Sequence, residues 1–328
     1  MEFGERPLAR AKGAILAHSH RLASGRIRKG RRLDAEDIAA LEAEGIDRAI
    51  VAVPGPDDLD EDTAAAAIAR AIVPDPGAAG LRVTEASTGR VNLYATGPGV
   101  LRLDAGAIHR LNLLDPMVTL ATLPPFARVA AGTMVATIKI ISYAVPGRSV
   151  AEGARIAAGA VAVAPVILSD ATLIVTDLGG GPGKGEAAIA TRLDRLGMQL
   201  SAVRVVPHDA PAIAAALGAV TSDLALILTA SATSDARDVG PAGLALAGGA
   251  LVRFGMPVDP GNLLFYGTRG SVPVIGLPGC ARSPALNGAD WVLERICCGI
   301  EPTAEEIAAM GLGGLLKESP ARPHPRAG

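Results

Sequence analysis

Between residues 163 and 296 the chain runs in the order strand, glycine loop, helix, strand, helix, strand, loop, helix, and few architectures accept that order. Residues 171–177, 200–206, 224–229 and 273–277 are short and rich in Val, Ile and Leu, which is the composition of strands covered on both faces. Residues 210–217, 241–247 and 287–296 read as helices, as does the stretch after Gly185 that carries Ala188, Leu193 and Leu196 and stops at Gly197. Such alternation buries a parallel sheet between two helical layers, so an α/β chain with a three-layer Rossmann-like domain is expected. Aromatic residues make up only 2% against 49% apolar, so the cores must be filled by Ala, Val, Leu and Ile.

The remainder divides in two. Residues 1–78 read as an N-terminal α+β segment. It contains a helix or strand start at 14–17, a helix capped by Asp34 with Asp37, Ile38 and Leu41 before Gly45, a strand at 46–53 and a helix at 63–72. The proline- and glycine-dense 74–80 is the linker. Residues 79–148 look β-rich, with runs at 118–123 and 134–143 separated by Pro124, Pro125 and Gly132, and 129–146 reads as a strand pair. A helix at 149–159 opens the α/β domain, 149–314, and 315–328 is expected to be a disordered tail.

Bulk properties exclude several partners. With 31 basic and 33 acidic residues there is no general field for polyanions. The basic run Arg26, Arg28, Lys29, Arg31 and Arg32 lacks interleaved aromatics, which fits a solvated face rather than a nucleic-acid interface. Three cysteines, Cys297 and Cys298 adjacent, give neither a disulfide framework nor metal-ligand spacing, and favour a reducing compartment. The charged amino terminus has no secretory apolar stretch, and the longest apolar run, 157–168, is too short for a bilayer and broken by Gly159 and Pro165; a cytoplasmic protein away from membranes is expected.

Ligands of open parallel sheets bind beyond the carboxyl ends of the strands. The first loop there, Asp177 followed by LGGGPGKG, offers Gly180, Gly181, Gly183 and Lys184 to a phosphate, but Gly179 stands one residue too close to Gly183 for a Walker A loop and Gly185 follows the lysine. In the second, Asp209 after Pro207 and His208 either caps a helix or contributes to a metal site. The third carries Thr229, Ser231, Thr233, Ser234, Asp235, Arg237 and Asp238, a set that either holds an oxyanion with a divalent cation or forms an N-cap with a local ion pair. The fourth brings turn 257–262 together with Pro278, Gly279, Cys280, Arg282 and Ser283; Arg282 and Ser283 suit a phosphate, whereas Cys280 has no nearby base to make it a nucleophile.

Together these loops resemble the molybdopterin-binding domain shared by molybdopterin adenylyltransferases, molybdopterin molybdotransferases and both ends of gephyrin. Residues 229–238 match the length of that family's Thr-Gly-Gly-Thr-Gly loop with its following aspartate, and Arg237, Asp238, Val239 and Pro241 resemble its Arg-Asp-Val-Thr-Pro run. Pro207 with Asp209 resembles its Pro-Asp pair, and 277–283 its Leu-Pro-Gly-Asn-Pro-x-Ser turn; GAILAHS and residues 25–46 look like a molybdotransferase opening. The overall likeness is greatest to bacterial molybdopterin-binding proteins joined to a domain that attaches CMP to the cofactor. Departures are equally specific. Ala230, Ser231, Ala232 and Thr233 replace the glycine loop and add Cβ atoms, and Asp259 and Asn262 stand where two lysines of the molybdotransferase turn would be.

What the resemblance implies is binding of molybdopterin, or of the molybdenum cofactor or its nucleotide form, in cofactor biosynthesis. Asp177, Gly180, Gly181, Gly183, Lys184, Thr229, Ser231, Thr233, Ser234, Arg237, Pro278, Gly279, Arg282 and Ser283 would line the site, with Asp209 and Asp238 as catalytic or Mg²⁺-side carboxylates. It also implies a homo-oligomer, dimer or trimer. A binding or carrier protein is the first expectation. A Mg²⁺-dependent molybdotransferase or adenylyltransferase, and a scaffold for a partner cytidylyltransferase or molybdoenzyme, are the alternatives. No nucleotidyltransferase signature stands near either end, so CMP transfer would call for that partner, and no GxGxxG followed by an acidic residue supports nicotinamide binding.

Overall fold

A computed structural model describes residues 1–181 and 183–318. The chain forms two compact units, one of residues 1–96, 101–127 and 131–163, the other of 97–100, 128–130 and 164 onward.

In the first unit, Glu2–Pro7 and Ile15–Leu16 flank Arg48–Val53 in an antiparallel sheet. The helix Ala35–Ala43 starts as its sequence signalled: Asp34 accepts from the Asp37 amide and Asp37 returns the bond, closing a capping box. The strand pair expected in 129–146 does not form. Met134–Ile140 is bonded instead to Val118–Thr122 and Arg90–Ala95, because Leu120, Leu93 and Ile138 then share one buried face; Val129 belongs to the second unit, where it pairs with Gly99. The stretch expected to be β-rich also contains a helix, Ala105–Leu114, capped by Asp104 through the Ala107 amide and anchored by buried Ala107 and Leu111. The helix Gly147–Ile156, assigned from sequence to the α/β domain, lies against Glu61–Ile72 and Ala105–Leu114 of the first unit.

The second unit is α/β. Its elements are β1 (Asp170–Asp177), α1 (Glu186–Asp194), β2 (Gln199–Pro207), α2 (Ala210–Gly218), β3 (Leu224–Leu228), α3 (Val239–Leu246), β4 (Ala250–Phe254), β5 (Phe265–Arg269), β6 (Val272–Leu277) and α4 (Gly288–Cys297). The sheet order is β2-β1-β3-β6-β5-β4. The first four strands are parallel, while β4 and β5, which carry no strand signal of their own in the sequence analysis, extend the sheet antiparallel from β6. Strand alternation sorts the core into two layers. Leu173, Val175, Leu226, Leu228, Ile275 and Leu277 meet α1 and α4, whereas Ile174, Ala225, Ile227 and Val274 meet Ile213 and Leu217 of α2 and Leu244 of α3. At Gly276 of β6 the space a side chain would need is taken by the Phe265 ring of β5.

Residues 315–318, which composition places in the tail, are instead held against the rest of the second unit. Leu316 is buried, its amide donates to the Asp259 carbonyl, and the Asp259 amide donates to Gly314. Residues 319–328 lie outside the described residues.

Candidate functional site

Because β1, β2, β3 and β6 run parallel, the loops that follow them gather at one edge of the sheet. Two side chains outside the expected site set hold this edge together. Thr176, buried near the end of β1, accepts the Ala230 amide at 2.8 Å, and its hydroxyl stands 2.8 Å from His208 Nδ1. One threonine therefore ties the ends of β1, β2 and β3. Arg192 of α1 is buried and donates to Asp290 Oδ1 at 2.5 Å and to the carbonyls of Ala188, Ala281, Ser283 and Ala285. It fixes the turn after β6 to α1 and α4. Its signal was legible: 192 lies on the helical stripe of Ala188, Ile189, Leu193 and Leu196, where a charge must find partners.

The expected site residues fall into three neighbourhoods. Lys184, Gly183 and Arg282 line one hollow of about 480 Å³ together with Gly185, Glu186 and Pro284. The Arg282 guanidinium is fixed there, with Nη1 donating to the Lys184 carbonyl at 2.9 Å and Nη2 to the Thr229 carbonyl at 3.1 Å. Lys184 is exposed, and its ammonium makes no hydrogen bond or ion pair among the described residues. Gly185, at φ +156°, cannot carry a side chain, since a Cβ would come 2.8 Å from Leu228 Cδ2. Gly180 and Gly181 stand open to solvent, and Asp177 Oδ1 accepts from the Gly179 amide.

Pro278, Gly279 and Ser283 line a second hollow of about 310 Å³ with Ala232, Cys280, Asn262 and the Asp259–Lys317 ion pair, whose N–O distance is 2.7 Å. Burial pushes the Cys280 thiol up, so it is not poised as a thiolate.

The third neighbourhood is the 229–238 loop, of which Ala232 alone lines the second hollow and no residue lines the first. Thr229 donates its hydroxyl proton to the Ser231 carbonyl, buried Thr233 lies 3.4 Å from that hydroxyl, and Arg237 is spent on Asp235 at 2.8 Å. The guanidinium holds the Asp235 carboxyl down to about 2. Asp238 caps α3, accepting from the amides of Ser234 at 2.9 Å and Val239 at 2.7 Å; these donors, with a smaller contribution from His208, hold its carboxyl below the usual range. Asp209 caps α2 through the Ala212 amide. Both carboxylates thus take the capping role, and among the described residues no group of three or more His, Cys, Asp and Glu is arranged to hold a metal ion. The single cleft expected for Asp238, Lys184 and Arg282 is therefore divided. Lys184 and Arg282 share a hollow that Asp238 does not line, and Arg282 reaches the start of the Asp238 loop at the Thr229 carbonyl.

Another hollow, of about 440 Å³, lies at the opposite edge, where Ser169, Asp170 and Gln199 begin β1 and β2. It contains no cation and faces the amino ends of the strands, where parallel sheets do not gather ligand loops.

Comparison with known proteins gives limited likenesses. A family model described as a domain of unknown function (DUF8806) matches residues 5–53, within the first unit. No curated protein matches. Among solved structures, a molybdopterin biosynthesis MoeA protein from Pyrococcus horikosii is 13% identical with a TM-score of 0.32, covering 94% of this chain and 77% of that one. A molybdenum cofactor biosynthesis protein from Pyrococcus furiosus is 14% identical with a TM-score of 0.23, covering 85% of this chain and 58% of that one. Likeness of that degree leaves the site to be judged on its own residues. No helix among the described residues is long and apolar enough to cross a membrane.

Proposed function

We propose that the second unit binds the phosphorylated tail of a pterin, molybdopterin or its nucleotide form, at the Lys184–Arg282 hollow, and that the protein serves molybdenum cofactor biosynthesis in the cytoplasm as a binding or carrier protein. The observation that carries this reading is the Lys184 ammonium, unpartnered among the described residues, on a glycine loop whose backbone is held by Arg282. A charge without a partner, beside amides able to approach an anion, fits a phosphate group. The motif resemblance in 229–238 and 277–283 supplies the pterin.

Binding is preferred to Mg²⁺-dependent transfer. The two carboxylates such a reaction would use are both N-caps, and Asp259, standing in place of a family lysine, is paired with Lys317. As a carrier, an oligomer of the chain would hand the cofactor to a cytidylyltransferase or a molybdoenzyme.

Calorimetric titration with molybdopterin tests the assignment. Charged hydrogen bonds contribute about 1.5–3 kcal/mol each, so Lys184→Gln is expected to weaken binding by about tenfold or more. Affinity equal to that of the unaltered protein would remove this hollow from the site.

A further inference from the structure

A third concavity in the second unit, of about 220 Å³, is lined by Arg128, Arg192, Arg195, Leu196, Leu286, Asp290, Leu293 and Glu294. Its charges are unevenly committed. Arg192 is consumed by Asp290 and by four carbonyls, and Asp290 Oδ2 also accepts the Asn287 amide of the α4 capping box. Arg128 faces Glu294 at 3.1 Å, with side-chain exposures of 35% and 12%. Arg195 is exposed and makes no side-chain hydrogen bond or ion pair among the described residues. The hollow thus offers Arg195 unpaired and Arg128 matched only by a carboxyl that has lost most of its water.

We propose that this hollow is a second anion site, separate from the Lys184–Arg282 edge, which takes a small oxyanion between Arg128 and Arg195. A tetrahedral sulfate or phosphate group and a compact dicarboxylate share the required chemistry, because each presents several acceptor oxygens to two guanidinium forks.

Glu294 sets when the site is open. The groups facing it are Arg128 from the 128–130 segment, Arg192 and Arg195 from α1, Asp290 on its own helix, and the thiols of Cys297 and Cys298. Burial first, then the Asp290 charge, pushes the Glu294 carboxyl up to about 8. Below that pH the neutral carboxyl leaves Arg128 available and can itself donate to an anion oxygen. Above it, the carboxylate pairs with Arg128 and repels the ligand.

The test is calorimetric titration of the full chain with sodium sulfate, whose charge is constant between pH 7 and pH 9, and with malonate as the dicarboxylate arm. The runs use a Lys184→Gln background, so that the other hollow does not contribute. One site is expected at pH 7, weakened at least tenfold by Arg195→Gln, a surface change that leaves the fold intact. Raising the pH to 9 should weaken it in the parent, and Glu294→Gln should retain it. Tighter sulfate would assign the site to phosphate-like groups, and tighter malonate to carboxylates. Absence of binding at millimolar ligand, indifference to Arg195→Gln, or an unchanged pH response in Glu294→Gln would overturn the proposal.

Discussion

The Arg282 guanidinium donates to the Lys184 carbonyl at 2.9 Å, so a cation from the turn after β6 sets the backbone on which the exposed lysine of the glycine loop stands. The same group holds Thr229 through its other Nη. Removing it frees two carbonyls at once. Arg282→Ala is expected to cost about 1–2 kcal/mol, the lower part of the range for charged donors because the side chain is partly solvated. The loss should be local: amide exchange at Gly183, Lys184 and Gly185 accelerates while that of Leu226 in β3 keeps its protection. Uniform acceleration would show that Arg282 supports the whole unit rather than the loop.

Arg192 is a different kind of cation. Its bonds to Asp290 and to the Ala188 and Ala281 carbonyls are buried, and those to Ser283 and Ala285 partly so; truncation therefore strands a carboxylate and several acceptors. Arg192→Met is expected to destabilise by about 3–5 kcal/mol, as when one partner of a buried pair is removed. Arg192→Lys should recover little, since a single ammonium cannot reproduce the planar fork. Urea unfolding reads both, as a lower midpoint with an unchanged slope.

The contrast between these arginines marks how far the sequence could be read. Apolar runs such as Leu224–Leu228 announce a buried parallel strand without help from any partner, and Asp34, Asp209 and Asp238 announce helix starts because a cap acts within a few residues. Pairing is not local. Met134–Ile140 finds its neighbours across long stretches of chain, and β4 and β5 become strands only because β6 offers an edge. The site was legible as a set of loops, but not as separate hollows, because the division depends on Arg282 and Arg192 choosing carbonyl partners far away in sequence.

Asp238 should behave as a cap. Asp238→Ala leaves the Ser234 and Val239 amides without their acceptor and is expected to cost about 1 kcal/mol, while Asp238→Asn should retain most of it. The carboxyl is held below its ordinary range in the folded chain, so its contribution is full above the unfolded value and disappears as pH falls through the folded one. Thermal melts across the acid range should show a shallower decline in Asp238→Asn. An identical slope would mean that the cap's charge adds nothing.

Two glycine substitutions separate space from function. At Gly276 an added Cβ would intrude on the Phe265 ring, and Gly276→Ala is expected to lose about 1–3 kcal/mol as an overpacked core position. Gly180 has nothing within 4 Å and no left-handed backbone, so Gly180→Ala should leave stability within about 0.5 kcal/mol. If the glycine loop receives a phosphate on its backbone, Gly180→Ala will nevertheless weaken molybdopterin binding, through the methyl group that it places on the approach. Stability and affinity both unchanged would take residue 180 out of the contact.

Glu294 gives stability a dependence of the opposite sign to Asp238. Its carboxyl, pushed up to about 8 by burial, keeps its proton in the folded chain while the unfolded chain, at 4.5, has released it. Between those values the folded state binds more protons, so stability is full below the lower value and falls as pH rises through the higher one. The decline should run steadily between the two values and level off above pH 8, once ionisation has put a second carboxylate beside Asp290. Arg128 offsets only part of that cost because its side chain is itself partly solvated. Glu294→Gln keeps the shape and removes the proton, so its stability should stay level from pH 5 to pH 9 while the unaltered chain loses ground. Parallel curves for the two proteins would mean that the carboxyl is already ionised at neutral pH and that Arg128 holds it as an ordinary ion pair.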